Sequence, residues 1–238
     1  MFRRLLPHHK LTTNPLFVAE TRHSRWGHSA DALLRRSRLW LLIGAGATLG
    51  IYLLLVVLTR LGTPSWFPWP SVLAETLLVI FAVGFPATTV AIDGASISAT
   101  MNSINREIVS GRWDLLRLTG QRDSALIAAK HSAGQLRAWR TLSLVLGYRL
   151  AVALAALAVI GWVLTIEIRS LSGSSVGAGS DFTLFILSFS LMIIGLGAVF
   201  VIEPLWRLRA MTALGVWVSG RTRNPTTAGI VSFVIVLG

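Results

Sequence analysis

The chain has 238 residues, 53% of them hydrophobic and only 13% charged, with a mean hydropathy of +0.67 and no cysteine. The lack of cysteine excludes disulfide scaffolds, thiolate metal sites and cysteine nucleophiles. The formal charge is +12, but the basic residues lie between apolar runs and form no basic domain of their own, so membrane topology explains them better than nucleic-acid binding does.

Residues 1–38 are polar and carry eight cations: Arg3, Arg4, Lys10, Arg22, Arg25, Arg35, Arg36 and Arg38. They read as a cytoplasmic, interfacial N-terminal segment. The first long apolar run starts only behind them, which speaks against a cleaved signal peptide and for a retained anchor. Residues 39–238 read as the transmembrane domain. Leu39 to Thr59 is an uncharged run of 21 residues, and roughly 20 helical residues cross the hydrocarbon layer. The second span is placed at about 73–92, where the uncharged stretch between Glu75 and Asp93 is extended by Leu73 and Ala74. A third covers 150–166, between Arg149 and Glu167, and a fourth covers 182–202, between Asp181 and Glu203.

After Arg223 the apolar stretch GIVSFVIVLG ends after about two and a half helical turns, too few to cross. It reads as a partial fifth span over 228–238 in a chain that is incomplete, the other reading being an interfacial tail. The expected fold class is therefore all-α: a polytopic transmembrane helix bundle with four complete spans, a partial fifth and interfacial amphipathic helices.

Counting Lys and Arg loop by loop sets the expected orientation, because short loops rich in them are retained in the cytoplasm. Eight precede the first span, and only Arg60 follows it. Seven, from Arg106 to Arg140, lie between the second and third spans, with Arg149 at the start of the third. Only Arg169 lies in the next loop, and Arg207, Arg209, Arg221 and Arg223 follow the fourth span. This alternation predicts a multi-pass protein of the cell (plasma or inner) membrane with its N-terminus in the cytoplasm. The loop LGTPSWFPWP, residues 61–70, agrees, since Trp66, Phe67 and Trp69 suit an outer aromatic belt and its prolines oppose a helix there.

The loop 93–140 is too long for a simple connection and too polar to cross. Within it, RWDLLRLTG mixes Trp113, Leu115, Leu116 and Leu118 with Arg112, Asp114 and Arg117. Gly111 and Gly120 frame it as breakers or caps, which predicts a short amphipathic helix. Asp123 to Trp139 predicts a second helix, capped at Asp123 or Ser124 and leading into the third span.

The run REIVSGRWDLLRLTGQRDSALIAAK, residues 106–130, resembles the cytoplasmic loop of ABC-2 type transporter permeases. In that family an acidic residue, a glycine and an LL pair precede a TP-like turn and a lysine. The matching positions are Glu107, Gly111, Trp113, Leu115, Leu116, Thr119 and Lys130, while Gly120 departs from the proline usual after the threonine. NPLFVAETRHSRWG, residues 14–27, looks like the lead-in segment that precedes the first span in related permeases. The resemblance implies six spans in a complete chain, an oligomer of like or unlike subunits, and a coupling helix that docks on a separate ATPase.

No GxxxxGK[ST] phosphate loop occurs, so nucleotide hydrolysis would belong to a partner, and the chain is expected to be no enzyme itself. A reading of another class is a non-catalytic subunit that scaffolds or stabilises a larger membrane complex. No cofactor or metal is expected. His8, His9, His23, His28 and His131 fall outside the predicted spans and read as solvated or headgroup-facing. Glu75, Arg149, Glu167 and Glu203 stand at predicted span ends, where snorkelling accounts for them, and no span carries a central charge. Gly46 and Gly50 form a GxxxG in the first span, the pattern of close helix packing.

Overall fold

A computed structural model describes residues 15–21, 30–64, 68–118, 120, 122–172 and 180–222, with residues 227, 230, 231 and 234 beyond them. Within these the chain is all helical: α1 (Pro15–Thr21), α2 (Ala30–Gly62), α3 (Trp69–Thr100), α4 (Asn105–Val109), α5 (Arg112–Leu118), α6 (Asp123–Ser172) and α7 (Ser180–Arg221). Four helices are long and apolar enough to cross a membrane, as the apolar runs predict. The partial fifth span at 228–238 lies largely outside the described residues.

The helices extend well past the uncharged runs that announce them. At about 1.5 Å per residue, the 50 residues of α6 measure about 75 Å, more than twice the roughly 30 Å of hydrocarbon. The loop expected at 93–140 is therefore narrower: residues 93–100 continue α3, and 123–140 are the first turns of α6. What remains is a compact connection built from α4 and α5. Gly111 (φ +69°) separates these two, and Gly120 (φ +74°) follows α5, a backbone region that a side chain disfavours.

Contacts divide the chain into two units, with boundaries inside α2, α3, α6 and α7. Unit 2, residues 41–87 and 144–203, holds three of the 22 Lys and Arg: Arg60, Arg149 and Arg169. Its core gathers Tyr52, Val56, Val72, Ile80 and Val152, with Tyr148 and Phe200 packed beside them. Tyr52 Oη donates to the Leu73 carbonyl (3.2 Å) and Tyr148 Oη to that of Ile80 (2.9 Å), so each phenol meets an acceptor on a neighbouring helix. Where α2 meets α6, a Cβ on Gly44 would stand 2.5 Å from the Leu144 carbonyl oxygen, and one on Gly147 would collide with that of Leu41. Small residues permit this backbone approach. The expected packing glycines differ: Gly46 and Gly50 are exposed, and a Cβ on either meets no atom within 4 Å. Helical phase explains this, because Gly44 and Thr48, four apart, share the buried face.

A second correction concerns charge. Arg149 lies well inside α6, fully buried, and its guanidinium ion-pairs with Glu203 and donates to the Phe200 carbonyl (2.8 Å). The rings of Phe85 and Phe200 lie 5.1 and 4.8 Å from it. Snorkelling does not describe this residue, which is turned inward and neutralised by a partner, the usual condition for a charge between apolar helices.

Unit 1, residues 1–40, 88–143 and 204–238, holds the other cations. Phe17, Leu33, Ile92, Ile104, Leu126, Leu136 and Leu208 form its buried apolar part, with Ser96, Thr100, Thr212 and Ser219 buried among them. Ser96, Thr100 and Thr212 donate to carbonyls one turn back in their own helices, which satisfies these three hydroxyls. Thr100 also sits under Gly134 and Gly215, where any Cβ would strike its side chain. Asp93 and Arg207 join α3 to α7, with Arg207 Nε 2.8 and 2.9 Å from the two carboxylate oxygens.

Candidate functional site: an ion cluster under the α4–α5 connection

Three helices of unit 1 converge on one buried lysine. Lys130, on the second turn of α6, is 3% exposed and pairs with Glu20 of α1 and Glu107 of α4. Glu20 also accepts from Arg137, two turns along α6, at 3.0 Å. The i, i+7 spacing of Lys130 and Arg137 puts both on one face of α6, so the single carboxylate of Glu20 bridges them. A lone buried ammonium is costly, and two carboxylates compensate it.

The connection is fixed from its other side by α7. Ser219 Oγ, fully buried, accepts from the backbone N–H groups of Ile104 (3.0 Å) and Asn105 (3.1 Å), meeting donors that a helix start leaves without a partner. Farther along α6, His131 Nε2 is within hydrogen-bond distance of Thr212 Oγ1 (3.0 Å) and the Arg209 carbonyl (3.2 Å). This histidine is half-buried and tied to α7, unlike the solvated group expected. Trp139 Nε1 donates to Ser37 Oγ of α2 (2.6 Å).

Of the site residues expected from sequence, Glu107 and Lys130 meet directly. Gly111 makes the turn between α4 and α5. Trp113, Leu115 and Leu116 lie on α5 as an amphipathic helix, with Leu115 64% exposed and Leu116 half-buried. Thr119 lies outside the described residues. The exposed side also carries Leu118 (82%) and, from the end of α4, Val109 (72%). The connection is thus anchored by charge underneath and shows apolar side chains outward. Sequence reasoning did not single out Arg137 or Ser219. Arg137 is legible as a helical repeat of Lys130, whereas Ser219 has no local signal at all.

Beside the cluster lies a cavity of about 710 Å³, whose lining includes Glu20, Glu107, Lys130 and Arg137. Among the described residues no group of three or more His, Asp or Glu side chains is placed to hold a metal ion. Comparison of the chain with protein-family models, curated proteins and solved structures finds no match in any of the three.

Proposed function

We propose that this chain is the membrane-spanning permease subunit of a transporter resembling the ABC-2 type, with its N-terminus in the cytoplasm, driven through α4–α5 by a separate ATPase subunit. One observation carries the reading. Glu20 belongs to the lead-in segment that resembles the family and Glu107 and Lys130 to the cytoplasmic-loop segment, and these charges, 110 and 23 residues apart from Lys130, close into a single cluster. Such a cluster gives α4–α5 a firm base on α1 and α6. A displacement imposed on α5 would then reach the spanning helices α3 and α6 through ionic and packed contacts rather than be lost in a slack loop. The outward Leu115, Leu118 and Val109 supply the apolar contact a partner would grip.

The test is isolation of the tagged chain from its native membrane in lipid, followed by mass spectrometry of what accompanies it. The proposal expects a stoichiometric subunit with a GxxxxGK[ST] loop, retained by the unaltered chain and lost from Leu115→Asp/Leu118→Asp. Recovery of a large assembly without any such subunit would favour a scaffold role instead. Undiminished retention in the double variant would remove α5 as the coupling element.

A further inference from the structure

The 710 Å³ cavity has a charge imbalance that the ion cluster does not use. Its lining has four cations, Arg106, Arg112, Lys130 and Arg137, against two carboxylates, Glu20 and Glu107. Glu20 pairs with Lys130 and Arg137, and Glu107 pairs with Lys130 through Oε1, while its Oε2 meets no partner among the described residues. Among the described residues, the guanidinium groups of Arg106 and Arg112 make no ion pair or hydrogen bond. Two unpaired like charges at one concavity raise a positive potential that open water would screen more fully on a convex face.

We infer that this cavity binds a phosphate ester, held by Arg106 and Arg112. Two guanidinium forks match the charge and oxygen geometry of a phosphate, which takes paired N–H donors more readily than a halide or a single carboxylate does. The side-chain amide of Asn102, also on the lining and without a hydrogen-bond partner among the described residues, adds a neutral donor. The hydroxyls of Ser98, Ser103 and Ser110 already donate to backbone carbonyls, so recognition falls to the arginines and Asn102. Volume decides further. A cavity of this size is that of an organic ligand site and greatly exceeds a bare phosphate ion, so the phosphate carries a substituent. Lipid headgroups and soluble phosphate esters share this chemistry. On α3 the lining begins at Ser98, a few residues after the uncharged run ends at Ile92, which is the depth of a headgroup if α3 crosses the bilayer. The inference needs no ATPase partner and stands apart from the coupling proposal.

The experiment is calorimetric titration of the purified full chain in a neutral detergent. The probes are dihexanoyl phosphatidylglycerol, glycerol 3-phosphate and, lacking phosphate, dihexanoylglycerol. The short-chain phosphatidylglycerol is expected to bind, dihexanoylglycerol to give no heat of binding, and Arg106→Gln/Arg112→Gln to weaken the phospholipid at least about ten-fold. Arg106→Lys/Arg112→Lys, which keeps the charge but not the forks, is expected to fall in between and guards against a misfolded glutamine variant. Arg35→Gln/Arg38→Gln removes the same charge away from the cavity and is expected to leave affinity unchanged. Equal binding of glycerol 3-phosphate would support the site and assign it to a soluble ester, whereas binding of the phospholipid alone assigns it to the membrane. No binding of either phosphate probe, binding of dihexanoylglycerol alongside them, or the same loss in the cavity and control pairs would overturn the inference.

Discussion

Lys130 carries a positive charge at 3% exposure between two carboxylates from separate helices of unit 1, Glu20 on α1 and Glu107 on α4. Removing it while leaving the acids in place is therefore far worse than removing a surface cation. Lys130→Met is expected to destabilise the protein by about 3–5 kcal/mol, the cost of breaking a buried pair, and thermal unfolding in detergent measures it. Restoring neutrality by adding Glu20→Gln and Glu107→Gln should recover much of that loss. The same logic applies to Arg149, buried on α6 against Glu203 and the Phe85 and Phe200 rings. Glu203→Leu alone strands a guanidinium among apolar side chains, whereas Arg149→Met/Glu203→Leu strands nothing. The double variant is expected to unfold at a higher temperature than the single one, and a single variant as stable as the double would show that the pair is not coupled.

At the scale of elements, the α2–α6 contact depends on glycine where two backbones touch. Gly147→Ala drives a methyl into the Leu41 carbonyl and Gly44→Ala one into that of Leu144. Each is expected to cost about 1–3 kcal/mol through forced separation. Gly46→Ala and Gly50→Ala meet open space on the same helix, and with alanine's better helix propensity they are expected to be neutral or to stabilise by up to about 1 kcal/mol. Equal effects at all four positions, read by unfolding in detergent, would contradict this packing. The α4–α5 connection was legible in part: Gly111 and Gly120 announced its breaks and the Arg112–Leu118 pattern its helix. Its attachment was not, because Ser219 reaches Ile104 and Asn105 across more than a hundred residues.

For the whole molecule, the four long apolar helices require a bilayer, since lipid offers backbone groups no partner and a helix supplies its own. The absence of native cysteine lets single cysteines report which side each loop faces. With the N-terminus inside, Ser65→Cys and Ser174→Cys are expected to react with an impermeant maleimide on intact cells, and Ser110→Cys only after permeabilisation. The reverse pattern would invert the orientation and place α5 beyond the reach of any cytoplasmic ATPase.

The amino-acid sequence alone determined that the chain is helical and crosses a membrane, because uncharged runs of about 20 residues satisfy a local rule: every backbone hydrogen bond closes within four residues of itself. It also carried the two separate motifs whose charges converge. Only the tertiary structure decided which charges neutralise which, that Arg149 turns inward, that Gly44 and Gly147 rather than Gly46 and Gly50 form the close contact, and that Arg106 and Arg112 share a cavity. Those outcomes depend on the rotation of each helix about its axis and on its neighbours, and both are set by packing between segments far apart in the chain.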